Sequence, residues 1–81
     1  MPTVLRVGSY RFYFYSNEGH EPPHIHVSSP NGGAKFWLRP VRLSYSQGYN
    51  DRELRQIERI VTENVSMMLA TWIEFFGADD A

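Results

Sequence analysis

The first part of the chain alternates between apolar and polar residues, and residues that favour turns separate its segments. Residues 3–7 and 10–16 are rich in β-branched and aromatic side chains, which are typical of strands. Gly8-Ser9 lies between them and places glycine at the first central position of a type II′ turn. The pattern therefore predicts an antiparallel hairpin at the start of the chain.

A second hairpin and a further strand are predicted after an irregular stretch that contains two prolines. Residues 24–28 and 34–38 have the composition of strands, and Asn31-Gly32 between them is a typical hairpin turn. Residues 41–45 again alternate apolar and polar side chains. This alternation predicts a fifth strand, at an edge of the sheet.

After residue 49 the apolar residues recur at steps of three or four, which is the period of an amphipathic helix. The positions that follow this period are Leu54, Ile57, Val61, Val65, Met68, Trp72 and Phe76. Asn50 with Glu53 three residues later fits a capping box, and Gly77 is a typical helix stop. We therefore predict one long helix within residues 50–77. Asn64 is unfavourable inside a helix, so a bend or two shorter helices at this point stay open.

The composition is that of one folded domain. The chain has 81 residues, of which 42% are hydrophobic, which is enough for a single core. We predict an α+β protein over residues 1–81, in which an antiparallel sheet of four to five strands (residues 1–49) is packed on one face by the C-terminal helix. The chain has no cysteine, and we find neither a signal-peptide pattern nor an apolar run long enough for a membrane span. We therefore expect a cytoplasmic protein.

Strand alternation divides the side chains between two faces of the sheet. The predicted core face consists of Leu5, Phe12, Phe14, Ile25, Val27, Phe36 and Leu38. Two-residue turns would pair Leu5 with Phe12, Val27 with Phe36 and Ile25 with Leu38. Each of these pairs joins two residues of the predicted core face, which supports the predicted registers of both hairpins.

The other face is polar and carries most of the cations. The same registers place Arg6 opposite Arg11, Val4 opposite Tyr13, His24 opposite Arg39, His26 opposite Trp37 and Ser28 opposite Lys35. The first 49 residues have a net positive charge, whereas the rest of the chain is net negative. Like charges on facing strands repel, so this face is expected to meet an anion or an acidic partner. The alternative is that its arginines are simply solvated.

The pattern His24-Ile25-His26 places two imidazoles on one side of a strand, where both could bind one metal ion. His20, Glu18 or Glu21 from the preceding loop could supply a third ligand. However, His-x-His is a short pattern, and no second distant cluster completes it. We therefore assign no metal and no cofactor from the sequence.

A metal-free alternative is cleavage of RNA, with one histidine as general base and the other as general acid. Cations would stabilise charge on the phosphodiester, and aromatic side chains, Tyr15 included, would stack on unpaired bases. The predicted catalytic residues are His24, His26 and Arg11, and the predicted substrate-binding residues are Arg6, Tyr13, Lys35 and Trp37. The simpler alternative is that the two histidines only pack on Trp37 and form local hydrogen bonds.

Several motifs in order resemble a known family of small bacterial proteins. They are Met1-Pro2-Thr3-Val4-Leu5-Arg6, Tyr10 to Glu18, Glu21-Pro22-Pro23-His24-Ile25-His26-Val27, Ala34-Lys35-Phe36-Trp37-Leu38 and Glu53-Leu54-Arg55. The chain is similar in these motifs to the domain of unknown function 4160 family. His24 and His26 match that family's Pro-Pro-His-x-His pattern, whereas His20 falls outside it.

This resemblance implies one component, the toxin, of a two-gene toxin-antitoxin module. We expect such a toxin to act on RNA or on the translation machinery through the polar face of the sheet. It also implies a partner, a small antitoxin of the domain of unknown function 2442 type. The apolar helix residues could alternatively be covered by a second copy of the chain, giving a homodimer. A different class of function stays open, namely a non-enzymatic protein-binding module, antitoxin or regulator, that uses the same polar face.

Overall fold

The computed structural model describes residues 3–77, which form an antiparallel sheet followed by two helices. The strands are β1 (Thr3–Val7), β2 (Tyr10–Tyr13), β3 (His24–Ser29), β4 (Gly32–Leu38) and β5 (Val41–Gln47), and the helices are α1 (Asp51–Glu63) and α2 (Val65–Phe76). Strand order in the sheet follows the chain, from β1 to β5. The predicted α+β class is confirmed. The predicted domain boundaries include residues 1–2 and 78–81, which lie outside the described residues.

The first hairpin largely follows the prediction. Leu5 pairs with Phe12 and Arg6 with Arg11, and Gly8 has a φ of 58°, as a primed turn requires at its first central position. The prediction that Val4 faces Tyr13 is wrong. An irregularity between Thr3 and Leu5 shifts the register, so that Tyr13 faces Thr3.

The second hairpin has a different turn from the predicted one. Ile25 pairs with Phe36 and Val27 with Ala34, so the predicted pairs Val27 with Phe36 and Ile25 with Leu38 are wrong. The turn lies at Pro30-Asn31 instead of Asn31-Gly32. The register is therefore shifted by two residues. A shift of two preserves the side-chain parity, so the predicted division of the two faces is unaffected.

The two-residue shift in the β3–β4 register also changes the partners of the residues on the polar face. The predicted partners of His24, His26 and Ser28 were Arg39, Trp37 and Lys35, and these three pairings are wrong. In the structure their partners are Trp37, Lys35 and Gly33.

A close backbone contact explains the position of this turn. A Cβ atom on Gly32 would lie 2.2 Å from the carbonyl oxygen of Gln47, and one on Gly48 would lie 2.2 Å from that of Asn31. Gly32 is therefore needed inside β4, where it pairs with Ser29, and is not free to form the turn. No residue other than glycine in the described chain has a positive φ, so Asn31 does not adopt the conformation of a type I′ turn.

The core lies between the sheet and the helices. Its buried apolar residues are Phe12, Phe14, Ile25, Val27, Ala34, Phe36, Leu38, Ile57, Val61, Met68 and Trp72. Six of the seven residues predicted for the core face are in this set, and Leu5 is partly buried against it. The alternation of side chains along the strands and the period of the helical residues therefore predict two surfaces that meet in one core.

The helical part is divided at Asn64, as the sequence left open. The Asn64 side-chain amide donates to the carbonyl oxygen of Ile60 at 2.8 Å, a local bond that competes with regular helix geometry. At the start of α1, Asn50 and Glu53 form the predicted capping box. Gly77 ends α2 with a φ of 92°. Among residues 3–77, no helix combines the length and apolar character that crossing a lipid bilayer requires.

Candidate functional site

The loop between β2 and β3 carries Glu18 onto the start of β3, where its carboxylate contacts both strand histidines. Glu18 Oε2 lies 2.9 Å from Nε2 of His26, and Oε1 lies 3.0 Å from Nε2 of His24. The three side chains offer ligand atoms that all lie within 4.8 Å of one another. We call Glu18, His24 and His26 the Glu-His-His cluster.

His24 is completely buried, with 0% exposure. Its ring packs between two tryptophans, with centroid distances of 5.7 Å to Trp37 and 4.9 Å to Trp72. Its Nδ1 lies 3.0 Å from the carbonyl oxygen of Pro22, and a carbonyl can only accept. The Nδ1 atom is therefore the protonated donor.

The contact between His24 and Glu18 is short but is not a hydrogen bond. The 3.0 Å between Nε2 and Oε1 is within ion-pair distance, yet the atoms are not aligned for donation, and Nε2 has no hydrogen-bond partner within residues 3–77. A buried polar atom without a partner is uncommon and costly. In this structure the nearest carboxylate oxygen, Oε1 of Glu18, lies beside that atom at 3.0 Å.

His26 lies at the open side of the cluster, with 7% exposure. Its ring stacks on Tyr13, with a centroid distance of 5.4 Å and an interplanar angle of 22°, and meets Tyr15 edge to face at 5.0 Å. These residues line a shallow groove of about 320 Å³ together with Tyr45 and Gln47. We call this the tyrosine groove.

The Glu18 carboxylate is held in its ionised form. Desolvation by burial raises the pKa of Glu18, but hydrogen bonds from His26 and from the backbone N–H of Tyr15, together with the close contact with His24, outweigh it, so the pKa is lowered from its ordinary value. The Tyr15 N–H donates to Oε1 at 2.9 Å. Glu18 is thus fixed from two sides, by a strand side chain and by its own loop.

Lys35, predicted to bind substrate, forms an ion pair in the structure. Its Nζ lies 2.8 Å from Oε1 of Glu21 and 4.4 Å from the centre of the Trp37 ring. The hydrogen bond from Lys35 is the main reason why the pKa of Glu21 is lowered. Lys35 therefore faces His26 across the sheet with its charge already compensated.

The two arginines of the first hairpin face each other at the edge of the sheet. Arg6 is exposed on β1 and pairs with Arg11. Arg11 donates from Nε to the Thr3 hydroxyl at 3.1 Å, and its guanidinium lies 4.5 Å over the ring of Tyr13. Arg11 is thereby positioned next to the tyrosine groove.

Two acidic side chains occupy the place where the sequence suggested an external anion. Glu18 contacts both histidines, and Glu21 compensates the charge of Lys35. The sequence could not give the path of the loop that carries them, because a loop of this kind has no periodicity that reveals its path. Glu18 was one of three options for a third ligand. His20, another option, is 74% exposed and lies 3.9 Å from Glu21, outside the cluster.

Tyr45 is a groove residue that sequence reasoning missed. It is 56% exposed, and its place in β5 opposite Lys35 puts it on the polar face. Its alternation with Leu43 in the sequence suggested a shared apolar role. The pairing of β4 with β5 is irregular between Lys35 and Phe36, and this irregularity places Leu43 and Tyr45 on different faces of the sheet. The alternation of apolar and polar residues in the sequence cannot reveal a bulge of this kind.

Comparison with known proteins gives one match. The sequence model of a family described as Domain of unknown function (DUF4160) matches residues 9–73. That segment covers β2 to β5, both helices up to Ile73 and the whole Glu-His-His cluster. Neither a curated protein nor a solved structure matches the chain.

Proposed function

The chain belongs to the domain of unknown function 4160 family, and from this premise we propose that it is the toxin-like component of a bacterial toxin-antitoxin module, acting on single-stranded RNA in the cytoplasm. The observation that supports this proposal is the tyrosine groove beside His26. Three tyrosines, Tyr13, Tyr15 and Tyr45, line one polar groove. Exposed aromatic rings beside cations are the usual platform for unpaired bases.

The charges around the groove suit a nucleic-acid backbone on one side only. Arg6 and Arg11 lie at the β1–β2 edge, and Arg11 stacks over Tyr13. Toward the opposite side, Lys35 is neutralised by Glu21. We therefore expect phosphates to follow the two arginines while bases stack on the tyrosines.

Within the cluster, His26 is the histidine that a bound RNA can approach. His26 lines the groove, whereas His24 has no exposed surface. In cleavage, His26 would accept the proton of a ribose 2′-hydroxyl as that oxygen attacks the phosphorus, and Arg11 would stabilise the phosphorane charge. The bond from phosphorus to the 5′-oxygen would then break to leave a 2′,3′-cyclic phosphate, and water would protonate the departing 5′-oxygen. His24 and Glu18 would then act as positioning residues that hold His26.

The proposed protein partner is a small antitoxin of the domain of unknown function 2442 type. Helix α2 carries one charged residue, Glu74, in the sequence VSMMLATWIEFF, and it exposes Met67, Ile73 and Phe75. A helix that is apolar all round is typical of one buried on every side. We propose that the antitoxin covers this helix. A homodimer is the alternative, and the molar mass of the chain alone in light scattering distinguishes the two.

RNA cleavage is tested with purified protein and total cellular RNA, with and without a chelator. We expect cleavage by wild type, strong loss with His26→Ala, and a clear reduction with Tyr45→Ala, which removes an exposed groove residue without disturbing the core. Leu43→Ala, on the same strand but outside the groove lining, is the matched control. Absence of cleavage by wild-type protein under both conditions would rule out the nuclease activity.

Expression in cells tests the biological role separately. The proposal predicts growth arrest when the chain is induced alone and relief when the neighbouring gene is induced with it. If cells are indifferent to the chain, and the pure protein neither binds nor cleaves RNA, the alternative of a non-enzymatic protein-binding module, antitoxin or regulator, is favoured.

A further inference from the structure

We propose that Glu18, His24 and His26 form a binding site for one divalent transition-metal ion, of which zinc is the first to test. No metal was assigned from the sequence, because His-x-His is a short pattern that no distant cluster completes. The proposal concerns metal binding as such and stands or falls independently of any activity toward RNA.

The positions of the ligand atoms support a shared metal. Two atoms that bind one tetrahedral zinc ion at about 2.0–2.2 Å lie roughly 3.4 Å from each other. The Glu18 oxygens lie 3.0 Å from Nε2 of His24 and 2.9 Å from Nε2 of His26. Since all three ligand atoms are within 4.8 Å of one another, only a small movement of the rings is needed to enclose an ion.

The hydrogen bond of His24 to Pro22 leaves the other ring nitrogen available to bind a cation. Its Nδ1 donates to Pro22, so in the neutral ring Nε2 carries a lone pair and no proton. Nε2 lies 3.0 Å from a carboxylate oxygen without a hydrogen bond to it, in a ring with 0% exposure. After a small rotation of the ring, a metal ion bound by both atoms would satisfy the unpartnered nitrogen.

Both kinds of ligand are already oriented by a second set of hydrogen bonds. Histidine ligands typically donate their other nitrogen to a carbonyl or carboxylate, as His24 does to Pro22 at 3.0 Å. The Glu18 carboxylate accepts the backbone N–H of Tyr15 at 2.9 Å. The site is therefore supported from the loop and from the strand before any ion binds.

The ligand set indicates the class of metal. Two imidazoles and one carboxylate suit zinc or ferrous iron, whereas calcium and magnesium prefer oxygen ligands. Three protein ligands leave at least one coordination position for water or a substrate, as in catalytic and not structural zinc sites. His26 also lines the tyrosine groove, so the ion would lie at the inner side of that groove.

Metal binding is tested by calorimetric titration of chelator-treated, dialysed full-length protein with zinc chloride, and by visible absorption after addition of cobalt(II). We expect one ion per chain and cobalt bands that indicate nitrogen and oxygen ligands. Glu18→Gln and His26→Gln should each weaken zinc binding on the order of 100-fold or more. The buried His24 is left intact, so that loss of folding does not obscure the result.

His20→Gln is the matched control, because His20 belongs to the same loop but is exposed and outside the cluster. It should bind zinc like wild type. Failure of wild-type protein to bind zinc, cobalt or ferrous iron overturns the proposal, and so does equal weakening by His20→Gln. Nitrogen NMR gives a third readout. The Nε2 resonances of His24 and His26 should shift when zinc is added, and unchanged resonances at saturating zinc would also overturn the proposal.

Discussion

Nε2 of His24 and Oε1 of Glu18 lie 3.0 Å apart, but the two atoms are not aligned for a hydrogen bond. The residues come from different elements, a loop and the first position of β3. The two atoms are in direct contact, and the His24 ring is fully buried. The contact is therefore held in place by the surrounding fold, and its chemistry depends on what bridges the two atoms.

Glu18→Gln is expected to destabilise the metal-free protein at neutral pH by about 1–3 kcal/mol, because a charge-assisted hydrogen bond to His26 is weakened. The pKa of Glu18 is lowered in the folded state. Its contribution is therefore fully present above the ordinary glutamate pKa of about 4.3 and is lost as the pH falls through the lowered value. The free energy of unfolding of wild type should thus fall more steeply in acid than that of Glu18→Gln.

The measurement is denaturant unfolding followed by tryptophan fluorescence, in chelator, from neutral pH to about pH 3. Glu58→Gln, an exposed change on α1, is the control and should leave the acid dependence as in wild type. Parallel pH curves for wild type and Glu18→Gln would contradict the assigned role of the Glu18 carboxylate.

Gly32→Ala is expected to destabilise the protein by about 2–4 kcal/mol, because its Cβ would lie 2.2 Å from the backbone oxygen of Gln47 and strands β4 and β5 would have to separate. Gly33→Ala is the matched control. The atom nearest to a Cβ there is 3.5 Å away, so its effect should stay within about 1 kcal/mol. Thermal unfolding followed by circular dichroism measures the stability of both variants. Equal effects of the two substitutions would show that the close contact with Gln47 does not determine the cost of a side chain at position 32.

The same glycine shows what the sequence could and could not predict of the fold. Alternation along the strands identified the core face correctly, because parity survives a shift of two residues. Asn31-Gly32 is the stronger hairpin motif locally, yet a distant contact with Gln47 requires Gly32 inside the strand. The packing of β4 against β5 overrides the local preference for a turn at Asn31-Gly32. A pattern of neighbouring residues in the sequence carries no information about that packing.

The site was predictable to a similar degree. His24 and His26 share a face because they are two residues apart in a strand, and the structure brings both to one carboxylate. The choice of Glu18 over Glu21 or His20 depends on the path of an irregular loop, held by the backbone hydrogen bonds of Glu18 and Glu21 within the loop. Such a path follows from tertiary contacts and not from composition.

Lys35→Met is expected to return the pKa of Glu21 toward its ordinary value. The hydrogen bond from Lys35 at 2.8 Å is the largest cause of the lowered pKa of Glu21, and methionine keeps the aliphatic stem of the side chain over Trp37 while removing the charge. NMR titration of the glutamate carboxyl carbons measures the pKa directly. Arg42→Met, an exposed change on β5, should leave Glu21 unaffected; an unchanged Glu21 pKa in Lys35→Met would contradict the pairing.

Arg6→Gln and Arg11→Gln should each weaken binding of single-stranded RNA and reduce its dependence on salt. If each arginine neutralises one phosphate, the slope of log affinity against log salt should fall by about 0.7 for each substitution. Filter binding or fluorescence anisotropy over a range of salt concentrations measures that slope. Arg59→Gln on α1, exposed and remote from the polar face of the sheet, should leave the slope unchanged. If all three substitutions reduced the slope equally, RNA would be bound by the overall charge of the protein and not by the β1–β2 edge beside the tyrosine groove.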